Sequence, residues 1–300
     1  MPPRADDDLF DYLQDNPSGW RKLTSEKAAL PALGTGASVD VLAHLPPDLE
    51  LKYRSPDGGT LREQPPLPIL LDMFPVILGV ERGEYAPLLH RMDQAGMVAF
   101  QDYAPQVVNG LFGVKKDEQK DRVIFDGRRC NMFFNLPDKV SLPSPTGLAD
   151  LMLPPDSSLY VCKTDMDNQF HRLRAPEWLW QYFGLPRISS VVLGLPGPRR
   201  WVHPVLKSVP MGWAHSVLLA QAVHTSLVDS SHPEAASQRI PSTPSLFCVG
   251  AATNTQYIDD YMGFGTDPVL VNQHLQRVID ITGESGLPAK ASKVSRVTET

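Results

Sequence analysis

The sequence predicts an α+β fold, in which short strands and amphipathic helices mix without regular alternation. Runs rich in β-forming residues lie at 110–114, 122–126 and 159–163, and helical patterns follow at 216–228 and 271–281. No strand–helix–strand unit recurs along the chain, and we find no internal repeat. These observations disfavour a doubly wound parallel sheet.

The first 65 residues are polar and rich in turn signals. Proline supplies 29 of the 300 residues; the pair at 46–47 lies in this leader, and the pair at 65–66 marks its end. Only a short helical pattern near residues 9–13 interrupts it. The sequence therefore predicts a Pro-rich, poorly structured extension over residues 1–65.

A packed domain is predicted to begin near residue 85. Leu88, Leu89 and Met92 fall on one face of an amphipathic helix that should end at Gly96. The two β-rich runs that follow are separated by the charged segment 115–120. This spacing predicts a β-hairpin with a basic tip.

Composition narrows the classes of function. The formal net charge is −6, which argues against a protein that coats nucleic acid through its net charge. A local basic groove is still compatible with this charge. The three cysteines are too scattered for a disulfide framework or a Cys-x-x-Cys metal site. No apolar run has the length of a membrane span, and no secretory signal is evident. We expect an intracellular protein, cytoplasmic or nuclear, without a membrane partner.

The sharpest local feature is the run Tyr257-Ile-Asp-Asp260, which places two acids among apolar residues. On a straight strand the two side chains would point to opposite faces, whereas a tight hairpin turn allows both at one edge. A hard divalent cation commonly compensates such acids. A solvated Asp-Asp turn is the plainer alternative.

A second acidic group, Asp165 with Asp167, follows the β-rich run at 159–163. Two-metal phosphoryl transfer needs carboxylates from separate strands. Asp165, Asp259 and Asp260 could supply them. The Asp-x-Asp pattern also suits a glycosyltransferase metal site or an ordinary polar turn.

Several motifs in order resemble those of a reverse transcriptase, and the resemblance covers residues 85–293. They are Arg122-Val-Ile-Phe-Asp126, Asp165 followed by Phe170, Pro210-Met-Gly-Trp213, Tyr257-Ile-Asp-Asp260 and the segment 286–293. The order carries more weight than any single motif.

The resemblance implies the palm of a right-hand polymerase, an antiparallel sheet packed on helices, with interleaved fingers. Fingers would occupy residues 66–134 with 175–205, and the palm 135–174 and 206–293. Residues 294–300 would form a tail. Because so little of the sequence follows the last motif, we expect fingers and palm without a thumb.

The same resemblance implies the metal and the reaction. Asp165 and Asp259 would be the principal metal ligands of the catalytic centre, and Asp260 a supporting one. Two Mg²⁺ ions are expected, with Mn²⁺ as an alternative. The implied substrates are deoxynucleoside triphosphates (dNTPs), and the implied partner is an RNA or DNA template with its primer.

Other residues are implied to contact the dNTP. Lys115 and Arg122 match the basic residues that reach the triphosphate, although a solvated charged loop is the alternative. Phe170 resembles the aromatic gate that excludes a 2′-hydroxyl, and an ordinary core aromatic is the less favoured alternative. Met211 and Gly212 match the loop beneath the nucleotide, where many members of the family carry glutamine in place of methionine.

Lys293 falls where the family carries a catalytic lysine that protonates the pyrophosphate leaving group, with Lys290 or a solvated tail as the alternatives. The rival interpretation of the whole chain is a truncated or repurposed module, derived from a retroelement, that binds nucleic acid or a partner without polymerising. Intact Asp165, Asp259 and Asp260 favour the enzyme. The short C-terminal end and the acidic net charge favour the rival.

Overall fold

The computed structural model describes residues 19–242 and 246–297, and within them the predicted α+β class is confirmed. The strands are β1 (Trp20–Arg21), β2 (Val39–Asp40), β3 (Val98–Gln101), β4 (Gly110–Lys115), β5 (Asp121–Asp126), β6 (Leu151–Met152), β7 (Tyr160–Asp165), β8 (Leu173–Arg174), β9 (Ile188–Ser189), β10 (Trp201–Leu206), β11 (Phe247–Cys248), β12 (Thr253–Tyr257) and β13 (Asp260–Gly265). The α-helices are α1 (Pro47–Arg54), α2 (Pro68–Asp72), α3 (Tyr85–Gln94), α4 (Arg128–Asn131), α5 (Pro145–Ala149), α6 (Gln169–Arg172), α7 (Glu177–Trp180), α8 (Ser216–Ser231) and α9 (Pro268–Glu284). Short 3₁₀ turns cover Val41–His44, Pro56–Gly58 and Ala291–Lys293.

The chain divides into two compact units. The first comprises Met1–Leu42, Leu51–Pro137 and Phe170–Ser216, and the second comprises Ala43–Glu50, Asp138–Gln169 and Val217–Thr300. The segment 206–216, which the sequence analysis assigned to the palm, falls in the first unit.

The first unit contains the predicted hairpin. Strands β4 and β5 pair antiparallel from Gly110 opposite Asp126 to Lys115 opposite Asp121. Strand β1 pairs with the other edge of β4. A second antiparallel sheet has the order β3–β10–β9, and a parallel pair joins β2 to β8. The hairpin prediction is confirmed.

Residues 19–65 are more structured than the sequence predicted. The side chains of Leu23 and Tyr53 are fully buried, and Trp20 stacks on Phe112 with ring centroids 4.0 Å apart. The hydroxyl of Tyr53 lies 2.6 Å from Nδ1 of His215. The poorly structured extension was therefore wrong for this part of the leader. The short helix expected near residues 9–13 lies outside the described residues.

The second unit is built on an antiparallel sheet of order β12–β13–β7. Its core packs Cys162 and Tyr261 from the sheet against Val271, Leu275 and Val278, which α9 contributes at helical spacing. Helix α9 begins three residues before the predicted 271, because Pro268 occupies its first turn and the Asp267 carboxylate accepts from the backbone amides of residues 269 and 270. No helix in the described ranges is both long and apolar enough to cross a bilayer.

Acidification should destabilise the first unit through His171. Burial, together with the charges of Lys116 and Arg122, lowers the pKa of this imidazole to about 4. The unfolded chain takes up the proton near pH 6.5 and the folded chain does not, so stability falls as the pH drops from about 6.5 to about 4. The contribution at pH 5 is about 2 kcal/mol.

Urea denaturation at pH 7 and pH 5 checks this prediction. The loss of stability between the two pH values should shrink by about 1–2 kcal/mol in His171→Gln. The exposed His90 on α3 provides the control, and His90→Gln should lose as much as the wild type. An unchanged loss in His171→Gln would contradict the assignment.

Candidate active site

Two adjacent acids lie at the turn between β12 and β13 in the second unit. Tyr257 pairs with Asp260, so Ile258 and Asp259 form a two-residue hairpin loop. Ile258 has a φ of +57°, which is unusual for a β-branched residue. The turn places Asp259 at the tip and Asp260 at the first position of the next strand.

Strand β7 brings a third acid to the same place. Asp165, its last residue, pairs with Asp260 across the sheet, and paired residues point to the same face. The backbone amide of Met166 donates to the carbonyl of Asp259 at 2.9 Å. Asp165, Asp259 and Asp260, which we call the acidic cluster, therefore gather at one end of the sheet.

Burial and repulsion between the carboxylates shift the pKa values of the two acids at the turn. The pKa of Asp259 is raised to about 6, mainly by burial. The neighbouring carboxylates contribute to the same shift, Asp165 more than Asp260. Burial and then Asp165 also raise the pKa of Asp260. Because burial and Asp165 disfavour the charged forms of Asp259 and Asp260, added positive charge at this place would be stabilising.

Lys293 places a positive charge beside the cluster. Its Nζ forms an ion pair with Oδ2 of Asp165, and this hydrogen bond raises the pKa of the ammonium group. A cavity of about 340 Å³ is lined by Asp165, Asp260 and Lys293, together with Lys163 and the segment 292–295. Lys290, the alternative lysine, contributes its backbone amide to the carbonyl of Asp165 at 2.7 Å.

The donor chemistry of the cluster fits a hard divalent cation. Carboxylate oxygens are the ligands that Mg²⁺ prefers, and burial raises the pKa of Asp259. Across residues 19–242 and 246–297, however, no three acidic, histidine or cysteine side chains form a ready-made metal-binding set. The side chains would have to rotate towards a shared ion.

Two buried polar side chains on α8 contact the turn, and the sequence analysis did not single them out. Oε1 of Gln221 accepts from the amide of Ile258 at 2.7 Å. Nδ1 of His224 lies 2.8 Å from the carbonyl of Ile258, and burial lowers the pKa of this imidazole to about 4. The signal in the sequence was polar residues three apart on a helix that is otherwise largely apolar.

The predicted triphosphate contacts lie on the β4–β5 hairpin of the first unit. Lys115 ends β4, is partly exposed and forms an ion pair with Glu118. Arg122 is exposed and pairs with Val114 across the hairpin. At the other end of β5, Arg128 donates to both oxygens of Asp126 at 2.8 and 2.7 Å.

Met211 and Gly212 pack against the end of β5, also within the first unit. The amide of Phe125 donates to the carbonyl of Met211 at 3.0 Å. Gly212 has a φ of +125°, and a Cβ there would lie 2.0 Å from the carbonyl oxygen of Phe125. Asn131, which the sequence analysis gave no role, donates to the carbonyl of Gly212 at 3.0 Å and accepts from the amide of Ala214 at 2.8 Å.

Phe170 and Asp167 follow Asp165 closely in the sequence and belong to different units. Phe170 is half-buried on α6, at the start of a segment of the first unit. Asp167, in the second unit, donates its amide to the carbonyl of Pro288 at 2.9 Å and accepts from Nδ2 of Asn168 at 3.0 Å. Its carboxylate thus stabilises a local turn.

Comparison with known proteins bears on the fold. No protein-family model matches the sequence, and no curated protein matches it either. Among solved structures, the foamy viral protease-reverse transcriptase in complex with double-stranded DNA superposes with a TM-score of 0.50 at 16% sequence identity. The match covers 71% of this chain and 31% of that one, so the chain spans about a third of its neighbour's length. The fold is similar to that of a reverse transcriptase.

Proposed function

We propose that the protein carries out template-directed DNA synthesis from dNTPs. The observation that supports this function best is the acidic cluster, in which Asp165, Asp259 and Asp260 meet at the end of an antiparallel sheet with raised pKa values for Asp259 and Asp260. The reverse-transcriptase-like fold supports the same assignment. On this proposal the first unit corresponds largely to fingers and the second largely to palm.

In the proposed reaction the 3′-hydroxyl of a primer attacks the α-phosphate of a dNTP, and pyrophosphate leaves. The acidic cluster would hold two Mg²⁺ ions, or Mn²⁺ in their place. When bound, these ions stabilise the negative charge on the attacking and leaving oxygens. Lys293 would give its ammonium proton to the departing pyrophosphate, and its ion pair with Asp165 holds it beside the cluster.

Residues of the first unit would select and orient the nucleotide. Lys115 and Arg122 would neutralise the triphosphate, and Arg122 can make bidentate contacts. Gly212 would allow the backbone to approach the nucleotide closely, with Met211 packing on it. We assign the template as RNA or DNA carrying a primer, in line with the double-stranded DNA in the neighbouring structure's complex.

Primer extension on an RNA template, with Mg²⁺ and all four dNTPs, tests the proposal. We expect elongated product from the wild type and none from Asp259→Ala. Absence of wild-type product, or equal product from the variant, would refute polymerase activity. Nucleic-acid binding without synthesis, with a salt dependence that weakens when Lys115 and Arg122 are neutralised, would instead identify a binding module.

Shortening Phe170 should relax the choice of sugar. A phenylalanine ring beside the sugar leaves no space for a 2′-hydroxyl, whereas valine would leave room for it. In Phe170→Val we expect kcat/KM for ribonucleotides to rise at least about tenfold relative to dNTPs, which corresponds to about 1.4 kcal/mol of discrimination. Single-nucleotide incorporation with matched dNTP and NTP pairs measures the ratio. An unchanged ratio would remove Phe170 from the sugar pocket.

A further inference from the structure

We propose that Gln221 and His224 are positioning residues that fix the geometry of the acidic cluster by clamping the backbone of Ile258. This inference rests on the proposed function for its catalytic consequence. The restraint on Ile258 is inferred from the contacts between α8 and the β12–β13 turn.

The turn needs an external restraint. Ile258 adopts a left-handed conformation with a φ of +57°, where a β-branched side chain crowds its own backbone. Two-residue hairpin loops normally place glycine, asparagine or aspartate at such positions. A strained residue persists where its surroundings over-determine its conformation.

The two α8 side chains supply that restraint. They lie three residues apart on the helix, so both reach the same neighbour. Gln221 accepts from the amide of Ile258 at 2.7 Å, and His224 Nδ1 donates to its carbonyl at 2.8 Å. Both backbone polar groups of the strained residue are thereby held from one rigid helix of 16 residues.

The clamp is itself fixed in orientation. Nε2 of Gln221 donates to the carbonyl of Gln256 and to Oγ1 of Thr225, both at 3.2 Å, so its Oε1 is the atom presented to Ile258. Because a carbonyl only accepts, His224 must carry its proton on Nδ1. Nε2 of His224 is then a buried acceptor with no hydrogen-bond partner among the described residues. An apolar residue would avoid that cost, so the imidazole is best explained by its bond to Ile258.

The hydrogen bonds to Ile258 also restrain Asp259, the next residue. Asp259 follows Ile258, and its own carbonyl accepts from the amide of Met166, the residue after Asp165. The peptide groups on both sides of Asp259 are therefore held. Loosening Ile258 would let the two carboxyls at the turn drift from Asp165, and positions within a reactive site tolerate little drift.

Hydrogen exchange of the Ile258 amide tests the clamp without reference to activity. In Gln221→Ala we expect this amide to exchange at least about tenfold faster than in the wild type, with amides of the α9 core unchanged. Gln221→Glu keeps the acceptor oxygen for Ile258 but turns its other oxygen towards the carbonyl of Gln256, so it should restore only part of the protection. Ser230→Ala, at an exposed position of the same helix, is the matched control. Unchanged exchange at Ile258 in Gln221→Ala would overturn the proposal.

Primer-extension kinetics test the catalytic consequence. In His224→Ala and Gln221→Ala we expect kcat to fall at least about tenfold, while the KM for dNTP stays within about threefold. Combination with Ile258→Gly, which tolerates the left-handed conformation unaided, should recover part of kcat. A raised KM with unchanged kcat would overturn the positioning role. Absence of wild-type product would refute the proposed function instead. The hydrogen-exchange result would then be the test of whether Gln221 and His224 restrain Ile258.

Discussion

Asp259→Asn is expected to lower the rate of nucleotide addition by about 10³-fold or more while leaving the protein at least as stable as the wild type. A loss of that size corresponds to roughly 4 kcal/mol of transition-state stabilisation, as expected when a principal cation ligand is removed. Asparagine has nearly the shape of aspartate, so packing at the turn should be preserved.

The sign of the stability change follows from the pKa of Asp259. Its folded-state pKa of about 6 lies above the value near 4 of the unfolded chain, so ionisation at pH 7 costs the folded state free energy. Removing the charge relieves that cost. After allowance for solvent screening of this partly exposed group, we expect a gain of about 1 kcal/mol.

Single-turnover kinetics and urea denaturation at pH 7 measure the two effects on the same preparations. Asp280→Asn is the matched control, because Asp280 is an exposed residue of α9 in the same unit. It should change neither rate nor stability. An active Asp259→Asn, or one that loses activity only because it unfolds, would contradict the role of the cluster.

Gly212→Ala should strongly destabilise the first unit. The added Cβ would lie 2.0 Å from the carbonyl oxygen of Phe125, and the φ of +125° is strained for any other residue. The loop would have to withdraw from β5 and break the hydrogen bond between Phe125 and Met211. We expect a loss of about 3 kcal/mol or more in the free energy of unfolding.

Gly283→Ala provides the comparison for this variant. A Cβ at Gly283, near the end of α9, meets nothing within 4 Å, and its backbone needs no left-handed conformation. Alanine there should be neutral or stabilise the protein by up to about 1 kcal/mol. Equal urea midpoints for the two variants would show that the close approach at Gly212 is dispensable.

Local patterns predicted the fold best where neighbouring residues decide the structure. The β4–β5 hairpin and the turn at Asp259 follow from alternating β-rich runs and their short connections. The leader was misjudged because buried residues such as Leu23 and Tyr53 lie far apart within a polar, turn-rich stretch. Their burial depends on residues distant in the sequence, which a local pattern does not contain.

Some residues of the candidate site could be predicted from the sequence, and others could not. The order of the motifs predicted Asp165, Asp259 and Lys293 as site residues. Their catalytic roles stay predictions. Gln221 and His224 were not foreseen, because a polar residue on a helix is ordinarily solvated. Only the fold shows that both contact the backbone of Ile258. The segment 206–216 falls in the first unit, where it contacts the end of β5, a partner far away in the sequence.

Divalent-cation binding tests the role of the acidic cluster most directly. Mn²⁺ titration followed by electron paramagnetic resonance, with dNTP present, should show bound ions in the wild type and in Asp280→Asn. The same titration should show at least about tenfold weaker binding in Asp259→Asn. Equal Mn²⁺ affinity in the wild type and Asp259→Asn would contradict the assignment of Asp165, Asp259 and Asp260 as a cation site for nucleotide addition.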